Sequence, residues 1–442
     1  MFRGVRRVVR YIVSITRICS LLFIALFLPK LFVTHIHSHS RVISSQKPSS
    51  FRLGLENLSD SFLKKLMLRY GKNFRIGLVT NQSGRDQSGR RTIDILLAKG
   101  LHVSLIFAPE HGIDGKTVAL RDVENGKDAK SNIRVISLYR NGSTKKFDKR
   151  LLQDLDVLFF DIQDSGMRHY TYITTLFEML ESAALNDKTV VVFDRPNLLG
   201  PYMEGALVAS SLKSAIPYAS IPVRYGMTIG ELALYFNKKI LKKPAKLHVV
   251  PMKNYNRYSV GANGLLAHLS PNITSINSCY GYSFLGMLGE VLPFDIGIGT
   301  SRAFQCILLP ETIKFSKKKW HELHVKLEKR GVHNSFYRYY SARKKNYCSG
   351  LRLHITDINT FSSFSTLLMV LDFFKKHKVK LTFSKNFDRA LGTYKVREFF
   401  EGHLSKALLT DHVNKGLRAF FERASKSSCF LYYPFPKIVN LS

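Results

Sequence analysis

Two short polar runs in this chain carry the residue types for acid–base chemistry. Asn81-Gln-Ser-Gly84 follows the apolar stretch Phe74–Val79, and Pro109-Glu-His-Gly112 follows Val103–Phe107. Polar turn-formers placed directly after strand-like runs belong at the carboxyl edge of an α/β sheet, where such sheets hold their ligands. A carboxylate leaving a buried strand is partly desolvated, which suits Glu110 to the work of a general acid. The competing reading makes Glu110 a helix cap or a partner for Arg90 or Arg91. His111 either orients that carboxylate and binds substrate or only shapes the turn beside Gly112. No second histidine or acid stands at ligand spacing, so no metal is expected there.

Further segments add acids and donors at the same edge. Asp161-Ile-Gln-Asp164 closes the run that starts at Val157, and period-two alternation turns Asp161 and Gln163 to one face. Asp164 leads through Ser165-Gly166 to Arg168-His-Tyr-Thr-Tyr172, and it reads either as an N-cap or as a second carboxylate holding a substrate hydroxyl. Asp194-Arg-Pro-Asn197 supplies one more acid, a cation and an amide. Thr228 and Glu231 have capping-box spacing, which gives Glu231 a structural part.

Positioning these residues takes an alternation of strands and helices. Strand patterns cover Phe74–Val79, Val103–Phe107, Val135–Leu138, Val157–Ile162, Thr189–Phe193 and Leu247–Pro251, with helical patterns at Thr92–Lys99, Tyr170–Leu185 and Thr228–Lys239. Near-continuous apolar strands between helices predict a parallel sheet covered on both faces. The expected fold class is therefore α/β, a Rossmann-like N-terminal domain over residues 70–260 and a smaller α/β domain over 265–436. No Gly-x-Gly-x-x-Gly fingerprint follows the first strand, so no dinucleotide is expected there; no cofactor is implied by the rest of the reading. Tyr255–Ser283 reads as the connection. Beyond it the patterns give the Gly-rich Gly297–Ser301, strands at Ala303–Leu309 and Leu351–Thr356, and helices at Trp320–Arg330, Ser362–Lys376 and about Ser405–Ala424.

Residues 1–45 hold seven basic and no acidic groups, with an apolar run from Ile18 to Leu28. This predicts a secretion signal, hence an exported, periplasmic protein. An uncleaved anchor through residues 11–33, on the outer face of the inner membrane, is the alternative. Cys279, Cys306, Cys348 and Cys429 lie too far apart for a zinc site and could pair in an oxidising compartment. Cys306, inside an apolar run, reads as a buried free thiol. The formal charge of +35 would attract polyanions. The basic residues are scattered and match no nucleic-acid signature, so nucleic acid is not the expected partner.

Asn81–Gly84, Pro109–Gly112, Asp161–Gly166 with Arg168 and Tyr170-Thr-Tyr172, Asp194–Asn197 and Gly226–Glu231 resemble, in order, the motifs of the NamZ-type exo-β-N-acetylmuramidases. Ser270-Pro-Asn272, Gly350–Asp357 and Leu391-Gly-Thr393 resemble that family's C-terminal domain, so the likeness spans about residues 74–434. It implies release of terminal N-acetylmuramic acid from the non-reducing end of peptidoglycan chains, with peptidoglycan-derived saccharides as partners and Glu110 as the acid. Asp161 or Asp164 would be the second catalytic carboxylate. Asn81, His111, Arg168, Tyr170, Tyr172, Asp194, Arg195, Asn197 and Glu290 are the expected substrate ligands. Ile298 stands where the family carries an arginine. Isoleucine cannot clamp a carboxylate as a guanidinium does, so recognition of the lactyl group would weaken or shift to Arg302. A non-catalytic glycan-binding protein on the same fold is the rival reading. Glycoside hydrolysis needs two carboxyl groups across the scissile bond, and this edge offers several.

Overall fold

Six strands align in parallel at the centre of the molecule: β1 (Arg75–Thr80), β2 (His102–Ala108), β4 (Arg134–Ser137), β5 (Val157–Asp161), β6 (Thr189–Phe193) and β7 (Lys246–Val250). The short β3 (Gly126–Lys127) adds antiparallel to β4, giving the order β7-β6-β5-β1-β2-β4-β3. The chain builds outward from β1 first through β2 and then through β5, so the order reverses between β1 and β5. At that reversal Thr80 is the registered neighbour of Asp161. Crossover connections leave such a point open at its carboxyl end, which is where ligands enter. This is a computed structural model, and it describes residues 51–212, 220–258, 269–430 and 432–442. The expected leader and anchor lie outside the described residues, among which no helix is long and apolar enough to cross a membrane.

Side-chain alternation explains why both faces of the sheet are dry. Ile76, Leu78, Val103, Ile106, Val157, Phe159, Val191 and Phe193 pack on one face with Leu63 and Leu66 of α1 (Asp60–Tyr70) and Ile93 and Leu96 of α2 (Thr92–Ala98). Val79, Leu105, Phe107, Leu158, Phe160, Val190 and Val192 pack on the other with α3 (Tyr172–Leu185) and α4 (Ile229–Tyr235). α4 passes into a wider π-helical turn at Phe236–Ile240, where the sequence pattern suggested one continuous helix.

The connection expected over Tyr255–Ser283 is corrected by α5 (Ile276–Leu288), a 13-residue helix buried almost all round. An amphipathic stripe is absent because every face finds protein: α7 (Ser363–Lys376), the second sheet and the rings of His169 and Tyr170 just before α3. Ser275 and Ser278 cap its start reciprocally. Where α5 meets the loop at Phe304, a methyl on Gly281 would lie 1.8 Å from the Phe304 carbonyl oxygen. Gly281→Ala must push that backbone away, and we expect a loss of about 1–3 kcal/mol in urea unfolding. An unshifted midpoint would refute this packing.

The second sheet is antiparallel, with β10 (Asn346–Ile355) between β8 (Cys306–Pro310) and β9 (Val332–Ser341). α6 (Lys317–Glu328) connects β8 to β9, and α8 (Lys406–Lys426) follows near the end. The ten-residue β9 escaped the sequence reading, since five of its residues are polar or charged and its tyrosines sit only half-buried. One apolar cluster runs from Val79 to Leu441, so the two sheets share a core, and residues 50–442 form one compact unit. All four downstream cysteines are buried free thiols, Cys306 among them.

Candidate active site

The loop after β1 is shaped by its own side chains. Asn81 Oδ1 accepts from the Ser83 amide at 2.9 Å and from Ser83 Oγ at 2.6 Å, so the carboxamide is oriented and its Nδ2 faces away from those donors. Asn81 is buried and Nδ2 has no protein partner. Ser83 Oγ in turn accepts from the Gln163 amide at 2.9 Å, and Thr80 Oγ1 donates to the Asp161 carbonyl at 2.8 Å, tying this loop to the end of β5. A methyl on Gly84 would stand 2.1 Å from Thr80 Oγ1, which accounts for glycine in that motif. Beside Asn81 lies a cavity of about 270 Å³ whose wall includes Gln82, Arg85, Asp114 and Lys116.

Glu110 sits in the turn after β2, where the Gly112 amide donates to the Pro109 carbonyl and His111 takes a left-handed φ of 75°. Its carboxylate is 6% exposed. Oε2 accepts from Thr171 Oγ1 at 2.7 Å and Oε1 from the Leu120 amide at 3.1 Å. Thr171 stands at the N-cap of α3 but spends its hydroxyl on Glu110 rather than on the helix. Arg90 pairs with Asp86, and Arg91 with Asp94 and Asp128, so neither neutralises Glu110. His111 Nδ1 lies 2.7 Å from the Thr117 carbonyl; as the donor there it leaves Nε2 as the acceptor nitrogen. Burial, and then the charge of Glu110, push the Tyr139 phenol well above its ordinary range.

The two aspartates of the next segment part company. Asp161 is fully buried and gripped by Arg195, through Nε at 2.5 Å and Nη2 at 2.8 Å, with Thr92 Oγ1 donating to it as well. Asp164 has no cation against it. Its Oδ1 accepts from the Gly166 amide at 2.8 Å and from the Tyr225 hydroxyl, while Oδ2 is buried without a partner. The Gly166 bond closes a local turn, so Asp164 is not the cap of α3. Burial pushes its pKa up to about 7, against the pull of the Tyr225 and Gly166 bonds. Burial, joined by the charges of Glu110 and Asp164, pushes the Tyr172 and Tyr282 phenols well above their ordinary range. Tyr170 packs edge-on against Tyr172 and Tyr282, with centroids 4.7 and 5.8 Å apart.

The raised Asp164 value fixes a sign for stability. The protonated side chain is the one the fold favours, so its contribution is fully present below the ordinary value of 3.8 and is lost as pH rises through about 7. Asp194, also lifted to about 7 by burial and the nearby Glu231, adds in the same window. Asp164→Asn is expected to lose less stability than wild type between pH 5 and pH 8 in urea titrations. Parallel slopes for the two proteins would contradict that protonation state.

Other expected ligands turn out to be committed internally. Arg168, 1% exposed, donates through Nη1 to the Ala206 and Ile221 carbonyls and through Nη2 to the Ala390 carbonyl, joining three segments instead of facing a substrate. Asp194 accepts from Thr228, the Gly230 and Arg195 amides and the distant Tyr433. Asn197 binds the Met227 carbonyl and the Leu199 amide. The Tyr170 and Tyr172 hydroxyls both donate to the Leu269 carbonyl at 2.8 Å. Glu290 accepts from Ser384 in the C-terminal half. Glu231 forms the expected capping box and also a buried pair with Arg257. Ile298 is half-buried against the core. Thr171, Tyr225 and Tyr282 are neighbours that the sequence does not single out, although Thr171 lies inside the Arg168–Tyr172 run.

The chain and its fold have counterparts in other proteins. The peptidoglycan β-N-acetylmuramidase NamZ of Bacillus subtilis (strain 168) is 32% identical over 396 residues, covering 87% of this chain and 92% of that protein. A crystal structure of a DUF1343 family protein from Bacteroides fragilis superposes with a TM-score of 0.74 at 30% identity, covering 87% of this chain and 99% of that one. A second DUF1343 protein from the same organism, at 24% identity and a TM-score of 0.66, shares the fold over 88% of this chain and all of its own. Residues 76–277 match the model for the exo-β-N-acetylmuramidase NamZ N-terminal region and residues 280–432 that for its C-terminal region. With both regions matched in order along one chain, the protein belongs to the NamZ exo-β-N-acetylmuramidase family.

Proposed function

We propose that this protein is an exo-acting glycoside hydrolase that releases terminal N-acetylmuramic acid from the non-reducing end of peptidoglycan fragments. The observation that carries the reading is two buried carboxyls with no cation bound to them, Glu110 after β2 and Asp164 after β5, at the carboxyl ends of the two strands that flank β1. Two carboxyl groups are what cleavage of a glycosidic bond requires, one to protonate the leaving oxygen and one to assist attack at the anomeric carbon. Glu110 takes the first part and Asp164, once it has lost the proton that burial holds on it up to about pH 7, the second, while Asp161 positions the loop through Arg195. The unpartnered Asn81 amide is the donor for a sugar oxygen. With Arg168 and Arg195 committed elsewhere and Arg85 donating to the Gln82 and Gly89 carbonyls, Lys116 at the adjoining cavity is the cation for the lactyl carboxylate.

Export follows from the basic and apolar leader, and peptidoglycan lies in the compartment to which such a leader directs a chain. The test is release of N-acetylmuramic acid from a defined disaccharide carrying it at the non-reducing end. Turnover supports the hydrolase. Binding that free N-acetylmuramic acid competes, with the disaccharide left intact, would instead make this a glycan-binding member of the family.

A further inference from the structure

We propose that the β9–β10 hairpin is a docking surface for uncleaved, carboxylate-bearing glycan strands of the cell wall, apart from the crevice where the bond is cut. The proposal rests on the hydrolase reading for the identity of the polymer. Phe336, Arg338 and Tyr340 alternate along β9 and so share one face, and Tyr347 of β10 is the registered neighbour of Tyr340. The three aromatic residues are large yet 59%, 54% and 45% exposed, for Phe336, Tyr340 and Tyr347 in turn. β9 is the edge of its sheet, so the strip is open along its length.

The strip is also held in place before anything binds. Tyr340 and Tyr347 pack edge to face at 5.4 Å. The Arg338 guanidinium lies 3.9 Å from the Tyr347 centroid and is fixed by two bonds to Glu311, at 2.7 and 2.9 Å. Rings fixed on a strand lose little freedom on binding, which favours association. The apolar C–H face of a pyranose stacks on such rings, and its hydroxyls meet the flanking polar groups.

Charge selects among polymers. Residues 332–355 contain no acid; Arg338 is already paired with Glu311 and Arg352 alternates to the face opposite Tyr347, which leaves the cations of the turn, Arg343, Lys344 and Lys345. Lys344 is spent on the Pro293 and Phe294 carbonyls, whereas Arg343 and Lys345 are exposed at the turn. A wall strand offers pyranose faces for stacking and, on its stem peptides and on N-acetylmuramic acid residues stripped of peptide, the carboxylates as anions. A second copy of this chain is disfavoured, because a twofold contact would set two positive hairpins against each other. For an enzyme that acts only at chain ends, a hold on the strand keeps the next end near.

The experiment uses full-length Glu110→Gln protein sedimented with purified insoluble peptidoglycan, compared with the same protein carrying Phe336→Ala and Tyr340→Ala. Binding is expected to weaken about tenfold, as the loss of two stacking rings implies, and Tyr340→Trp is expected to retain it. In the otherwise wild-type enzyme the double change should lower release from insoluble wall and leave turnover of the soluble disaccharide unchanged. Unaltered sedimentation would overturn the proposal, as would a loss of binding to an RNA homopolymer but not to wall, or an equal fall on both substrates. If the wild type fails on the disaccharide, the hydrolase reading falls, while the sedimentation result still decides the docking surface.

Discussion

Glu110→Gln is expected to lower release of N-acetylmuramic acid by a factor of about 10²–10⁴, the usual range for loss of a general acid. Glutamine keeps the length and shape of the side chain. The Leu120 amide can still donate to its oxygen, and the Thr171 hydroxyl can rotate to accept from the new amide, so the fold should cost no more than about 1 kcal/mol. The defect belongs in kcat with KM nearly constant, since protonation of the leaving oxygen is needed only in the transition state. An aryl muramide with an acidic phenol leaves without that proton and should regain most of its rate. Asp164→Asn would respond differently: an activated leaving group would help less, and a small anion such as azide, entering in place of assisted water, would help more. If Glu110→Gln turned over the disaccharide at the wild-type rate, the acid would have to be sought elsewhere, with Asp164 the first candidate.

Glu110 was legible in sequence because its position is set locally. A strand run, a proline and a glycine-closed turn leave few places for the side chain between them, and the mainly parallel sheet was legible for the same reason: its strands are apolar throughout. What sequence leaves open is which of several acids at that edge is solvated, paired or bare. Asp161 and Asp164 are three residues apart and look alike on paper, yet the first meets Arg195, 34 positions downstream, and the second meets a tyrosine 61 positions away. Such partners are chosen by topology, as is the Arg168 junction with Ala390 across 222 positions. Tyr282 was hidden in a different way. Its helix is buried on every side and contains glycines, so it shows neither an amphipathic stripe nor a strong propensity.

A buried ion pair with Arg195 sets Asp161 apart from Asp164, and breaking it has an expected result. Both partners of the Asp161–Arg195 pair are buried, with side chains 0% and 3% exposed. Asp161→Asn keeps the volume but leaves the guanidinium with no countercharge inside protein, a change that typically costs about 3–5 kcal/mol. Against a total margin of about 5–15 kcal/mol for native proteins, that is a large drop in the urea midpoint. The loss should arise mainly from the stranded cation: replacing both partners, as Asp161→Asn with Arg195→Met, is expected to recover part of it, because an apolar pair pays no ionic desolvation. The Arg85 carbonyl would still lose its Arg195 partner, so recovery stays incomplete. Activity per folded molecule separates the two roles open to this carboxylate. A positioning group leaves folded Asp161→Asn protein with an ordinary pH profile and a rate lowered far less than by Glu110→Gln. Turnover abolished at full stability would instead put Asp161 at the scissile bond and Asp164 in the supporting part.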